Sequence, residues 1–227
     1  MTQAPEEPAW RRRAVERSTR AAKLRAEQRV QRFLDSAQEL ITEKGTTDVT
    51  VQEVVDRSKQ SLRSFYQHFD GKHELLLALF EDALATSANE IREAASAGRD
   101  PLQRLRDAVE MLYEQSRPSP DVQRPLFSDF ALQLLVKHPV QVATAHLPLV
   151  TVFADLIEDA AEAGVIPAGR PRRQASLVMQ TVMFSAQANG VPAGSHAVPV
   201  TAEEIWQFCL GGISGAAAEA HPSRTAR

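Results

Sequence analysis

Apolar residues recur along this chain at three- and four-residue spacing, in runs separated by glycine- and proline-bearing breaks. Val30, Phe33, Leu34, Ala37, Leu40 and Ile41 open the pattern, which predicts an amphipathic helix. Gly45 stops it, with Lys44 in the last turn where a cation is favoured. Thr50 and Glu53 then form the T-x-x-E pattern of a capping box ahead of Val51, Val54 and Val55, which predicts the sharp start of a second helix. A third helix is predicted from Ser61 to Phe69, with Leu62, Phe65 and Phe69 as its inward face, and Asp70-Gly71 interrupts it. A long fourth helix follows from about Lys72 to Ala97, carrying Leu75, Leu76, Leu79, Phe80, Ala83, Leu84 and Ile91.

Beyond Gly98 and Pro101 the same periodicity continues. Helices are predicted over Pro101–Gln115, near Val122–Lys137, through a segment punctuated by His138-Pro139 and His146-Leu147-Pro148 that ends at Ala163, around Ala175–Ser185, and from Thr201 to about Glu219. Arg117–Pro120, Gly164–Pro171 and Asn189–Pro199 read as loops, and residues 1–9, with two prolines and no periodicity, as disordered. No sustained period-two run of β-branched residues argues for a strand. The expected fold is all-α, with about nine helices.

Charge adds an asymmetry that the net value of −3 conceals. Residues 1–75 carry 14 Lys+Arg against 12 Asp+Glu, and the remainder 12 against 17. Between Trp10 and Arg32 the nine basic residues Arg11, Arg12, Arg13, Arg17, Arg20, Lys23, Arg25, Arg29 and Arg32 face only Glu16 and Glu27. A basic end on an otherwise acidic chain fits a local polyanion contact, and equally a solvated basic helix. The single cysteine, Cys209, sits among Ile205, Trp206, Phe208 and Leu210, where it reads as a small buried hydrophobe. One cysteine, no apolar run of membrane-spanning length and no signal-like segment together lead to the expectation of a cytoplasmic protein.

Three short helices within residues 30–69, the last two joined by a tight turn, have the layout of a helix-turn-helix. With the apolar face of the third helix turned inward, Ser61, Arg63, Ser64, Gln67 and His68 remain outside. These are hydrogen-bonding side chains suited to base edges and phosphates, with no carboxylate among them.

The stretch Thr50-Val51-x-x-Val54-Val55, followed by Ser64-Phe65-Tyr66-Gln67-His68-Phe69-Asp70-Gly71-Lys72-x-Glu74-Leu75, resembles the DNA-binding signature of tetracycline-repressor-like (TetR/AcrR) regulators. The resemblance covers roughly residues 28–80. It implies that Tyr66 and His68 contact the DNA backbone, and that Lys72 grips a phosphate at the start of the fourth helix. Ser61, Arg63 and Ser64 would reach bases or nearby phosphates, and Thr50 would touch phosphate through its hydroxyl or adjacent amide. The turn departs from the family pattern: Ser58, Lys59 and Gln60 stand where a small residue, a glycine and a branched apolar residue are usual. Lysine adopts a left-handed conformation at some cost. Lys59 and Gln60 are read as extending the DNA-contacting surface.

The resemblance further implies an arm over residues 1–25, a DNA-binding domain over 26–72 and a ligand-binding and dimerisation domain over 73–227. The last two long helices of each subunit would pack across a two-fold axis into a homodimer that reads a palindromic operator. Small residues in Gln174–Asn189 and the glycines of Thr201–Ala218 are compatible with close helix packing. Met111, Tyr113, Phe127, Phe130, Leu134, Phe153, Met179, Met183 and Phe184 are the candidate pocket residues, each equally readable as ordinary core. Their lack of charge favours a small apolar or amphipathic ligand. Such a ligand would release the DNA by linkage, with the fourth helix as the lever, or would act as a co-repressor as in some relatives.

No glycine-rich phosphate loop, nucleophile elbow or metal-binding His/Cys cluster is present, so neither an enzyme nor a cofactor or metal is expected. The expected function is a ligand-responsive repressor. The alternative is a helical adaptor or scaffold whose DNA binding is non-specific.

Overall fold

The computed structural model describes residues 9–98, 100–117, 130–188 and 199–215. Among them are ten helices and no strand: α1 (Ala9–Lys44), α2 (Val51–Ser58), α3 (Leu62–Tyr66), α4 (Lys72–Ser96), α5 (Pro101–Ser116), α6 (Ala131–Lys137), α7 (Pro139–Ala145), α8 (Leu147–Glu162), α9 (Pro171–Ala188) and α10 (Ala202–Gly215). The all-α expectation holds, and the segment ending at Ala163 is two helices, because Pro139 and Pro148 each open one. Residues 1–8, 99, 118–129, 189–198 and 216–227 lie outside the described residues, and with them parts of the helices expected near Val122–Lys137 and from Thr201 to about Glu219.

The chain forms two compact units, Met1–Leu79 and Phe80–Arg227. In the first, α1 buries Phe33, Leu34, Ala37, Leu40 and Ile41 against Val54, Val55, Phe65 and Phe69. The aromatic members interlock, with Phe33 edge-on to Phe65 at 5.4 Å and to Phe69 at 6.2 Å between ring centroids. Gly45 ends α1 with a φ of 64°, a left-handed stop that glycine takes without strain. The expected signal at Val30 is only the later part of this helix. Helix formers extend it back to Ala9 as one element of 36 residues, most of whose first 23 residues lie in solvent.

In the second unit, α5 and α9 pack on each other and each packs against both α8 and α10. Their core is Leu105, Val109, Leu112, Phe153, Ile157, Val178, Val182, Ile205 and Trp206. Pro101 at the head of α5 follows Asp100, whose carboxylate accepts from the Leu102 amide. Arg104 donates to the Ala95 carbonyl and pairs with Asp159, pinning α5 to α8. The Tyr113 hydroxyl donates to the Val200 carbonyl at 2.6 Å, fastening the entry to α10. Thr201 and Glu204 cap α10 reciprocally, a second T-x-x-E box legible in the sequence but not expected there. No single helix among the described residues is long and apolar enough to cross a membrane.

Candidate nucleic-acid interface and helical cavity

The interface is built from its caps outward. Thr50 accepts from the Glu53 amide while Glu53 accepts from the Thr50 amide, so α2 starts where the sequence placed it. Lys44 donates to the Glu53 carboxylate at 2.6 Å; that contact, with the Thr50 bonds, holds the carboxyl down to about 2. Arg57 forks onto Glu43 at 2.8 and 2.6 Å and reaches Glu39 at 3.3 Å, riveting α2 to the end of α1. These bonds lower the pKa of Glu43 and raise that of Arg57.

Between α2 and α3 the turn takes the conformation its missing glycine foretold. Lys59 sits at φ 55°, ψ 34°, the one non-glycine residue with positive φ among those described. Gln60 does not open to solvent as expected. Its amide donates to the backbone carbonyl of Arg29 at 2.9 Å, so the residue is half-buried against α1. Ser61 caps α3 by accepting from the Ser64 amide.

Helix α3 is shorter than the predicted Ser61–Phe69 span, because its chain tightens after Tyr66: Gln67 bonds back to Ser64, and His68 and Phe69 to Phe65. Leu62, expected inward, is instead 43% exposed, since a five-residue helix has one inner position and Phe65 fills it. Tyr66 is 56% exposed and braced edge-on against Phe65 at 5.4 Å. Thr50, Lys59, Ser61, Arg63 and Gln67 are also exposed. Ser64 and His68 are half-buried, and Ser64 Oγ and His68 Nε2 are covered without a hydrogen-bond partner. Lys72 pairs with the exposed carboxylate of Asp48 at 3.2 Å, a contact weak enough for a phosphate to replace.

The second unit contains a cavity of about 1330 Å³. Pro139, Val142, His146 and Leu147 line one side, Met179, Gln180, Met183 and Phe184 of α9 another, with Ile205 and Phe208 of α10 and Phe80 of α4. Of the pocket residues named from sequence, Met179, Met183 and Phe184 line it. Tyr113, Phe130, Leu134 and Phe153 are buried outside this lining, Met111 is half-buried outside it, and Phe127 lies outside the described residues. Val142 and His146 were not among the candidates, because the proline-punctuated segment was read only for its helices. His146 Nδ1 lies 2.7 Å from the Val142 carbonyl and so carries its proton there, leaving Nε2 an acceptor. Burial pushes its pKa below the ordinary histidine value, against the milder opposite effect of that carbonyl. Cys209 is buried, its thiol pushed up to about 11 by desolvation.

A capped second helix, a tight turn and a short third helix with an open polar face define a helix-turn-helix of the kind found in bacterial regulators. Residues 33–79 match the family profile described as bacterial regulatory proteins, tetR family. Over that segment the chain is similar to the DNA-binding domain of this family. It is 30% identical over 126 residues to the HTH-type transcriptional activator FasR of Mycolicibacterium smegmatis, a match spanning 55% of this chain and 58% of that relative. The chain thus spans less than two thirds of that relative's length. Its fold is shared with Thermus thermophilus FadR, a TetR-family transcriptional repressor solved with lauroyl-CoA, at 22% identity and a TM-score of 0.61, covering 87% of this chain and all of that one. RolR, solved with resorcinol, aligns at 18% identity and a TM-score of 0.61, covering 85% and 89%. FasR and FadR are named as transcriptional regulators.

Proposed function

We propose that this protein is a ligand-responsive transcriptional repressor that binds a palindromic operator as a homodimer. The observation that carries the reading is the α2–turn–α3 unit, in which Thr50, Lys59, Ser61, Arg63, Tyr66 and Gln67 are exposed together and carry no carboxylate. A duplex phosphate backbone is the partner this chemistry suits, with Lys72 exchanging Asp48 for phosphate. Gln60 acts in this scheme by holding the turn, and Ser64 and His68 contact DNA only if α3 shifts to uncover them.

Homodimerisation through α9 and α10 is supported by apolar side chains left in solvent there, Phe184 at 77% and Phe208 at 71% exposure. The cavity suits a small apolar or amphipathic ligand, with His146 Nε2 as a hydrogen-bond acceptor in a largely apolar lining. Resorcinol, the ligand of one structural relative, and the acyl chain of lauroyl-CoA, the ligand of another, are of that type and are the probes to try first. Coupling would run through α4, which carries both Lys72 and the cavity residue Phe80.

Selection of genomic fragments by the purified protein, followed by footprinting at near-physiological salt, tests the reading. The expected result is a protected palindrome, lost in Tyr66→Ala or Lys72→Ala and released by ligand. Sequence-blind, salt-sensitive binding would support a helical adaptor instead. A reporter driven by the protected promoter gives the sign of regulation, since the FasR relative is an activator.

A further inference from the structure

The first 23 residues of α1 are a helix with almost no tertiary contact, and their charge is arranged. Arg13, Arg17 and Arg20 recur at i, i+4 and i+7, and Arg25, Arg29 and Arg32 repeat the same spacing. On a helix of 3.6 residues per turn each set forms a row. The first row lies on the side of α1 opposite the face that buries Phe33, Ala37 and Leu40, and the second flanks that face, with Arg29 one turn before Phe33, so the two rows wrap the helix. All six arginines are exposed. Elsewhere in this unit Lys44, Arg57 and Lys72 are matched to carboxylates. None of the six is so matched among the described residues, while Lys23 pairs with Glu27 in the same stretch.

Like charges four residues apart weaken a helix. Two rows of exposed arginines without carboxylate partners make sense when a polyanion supplies the counter-charge. The Gln60 amide on the Arg29 carbonyl sets where that counter-charge lies, because it fixes the base of the rows against the turn that leads into α3. From Arg13 to Arg32 the helix rises about 28 Å, which is roughly 8 base pairs at 3.4 Å each.

We propose that residues 13–32 of α1 are a second DNA-binding surface that lies along the phosphate backbone flanking each operator half-site. The proposal rests on the helix-turn-helix reading above and extends it beyond α3. The rows bind by charge and add affinity and on-rate, while base selection stays with α3.

The test uses the full chain, an enriched genomic fragment, and the same fragment trimmed to its protected palindrome. Two variants are compared with wild type: Arg13→Gln/Arg17→Gln/Arg20→Gln and Arg25→Gln/Arg29→Gln/Arg32→Gln. Glutamine keeps helix propensity close to that of arginine, so far-ultraviolet circular dichroism stays unchanged. Wild type loses affinity on trimming, and each triple variant lowers the salt slope by about 2.7, which over a four-fold rise in salt is roughly a 40-fold smaller loss. The variants also give a shorter footprint with the same central protection. If both variants keep the wild-type slope and trimming response while Tyr66→Ala abolishes protection, the proposal is overturned and the helix-turn-helix reading stands. Sequence-blind binding by wild type overturns both, because no operator remains to be flanked.

Discussion

The side-chain amide of Gln60 donates to the backbone carbonyl of Arg29 across 31 residues of sequence. That carbonyl belongs to a continuous helix, so Gln60 uses a lone pair that the helix leaves free. The bond replaces the apolar contact the turn would otherwise make, and it joins the entry of α3 to α1.

Gln60→Ala should therefore cost little stability, about 1 kcal/mol, because one neutral hydrogen bond nets no more. Its effect on operator affinity should be larger than that figure, since the approach of α3 is no longer fixed. Urea unfolding beside operator titration measures both. Affinity that falls no further than stability would reduce Gln60 to an ordinary contact.

Lys59 carries the left-handed conformation that glycine tolerates freely. A Cβ in that region costs roughly 1 kcal/mol, partly offset for glycine by its greater freedom when unfolded. Lys59→Gly should therefore melt no lower than wild type and above Lys59→Ala, which keeps the strain. Both variants should lose about 0.9 in salt slope on operator DNA if the ammonium meets a phosphate. An unchanged slope in both would remove Lys59 from the interface.

What could be read from the sequence divides by range. The Thr50–Glu53 box, the Gly45 stop and the strained turn at Lys59 are decided within four residues, and all stand where expected. Leu62 was misplaced because periodicity assumes several turns and α3 has barely more than one. Gln60 was misread because its partner is remote in sequence. The cavity was legible only on α9, where Met179 and Met183 lie at helical spacing. Its other wall, Val142 and His146, comes from α7 and its end, whose prolines read as punctuation.

Glu53 gives an acid-stability prediction with a definite sign. Its carboxyl is lowered from 4.5 to about 2, first by the Lys44 hydrogen bond and then by Thr50. A depressed carboxylate contributes stability that is present above its unfolded value and lost as pH falls through the folded one. Glu53→Gln keeps a capping side chain without the charge. It should melt below wild type at pH 7, and the gap should close between pH 4.5 and about 2. A gap independent of pH would assign the effect to packing.

The exposed aromatic residues of α9 and α10 should report on assembly. Phe184→Glu and Phe208→Glu alter side chains already in solvent in the single chain, so the fold should survive. Light scattering should show a dimer for wild type and a monomer of 25.0 kDa for the variants. Operator affinity should fall with dimerisation, because one α3 contacts only a half-site. Variants that remain dimeric would move the interface elsewhere.

His146 supplies the last test, because it is the half-buried titratable group at the cavity wall. Phe80 stands edge-on to its ring at 5.6 Å, and Met179, Gln180 and Met183 face the same space without charge. Glu204 also lines the cavity, but its carboxylate is taken up by the Thr201 cap, which lowers its pKa. Burial holds His146 neutral, with its pKa below 6.5. The unfolded chain thus takes up a proton at higher pH than the folded one, so stability is full above 6.5 and declines as pH falls below it. His146→Phe keeps an aromatic ring against Phe80 and removes the titration. Its melting temperature should change less than that of wild type from pH 7 towards pH 5. Equal pH slopes in the two proteins would place the neutral imidazole outside the energetics of this cavity.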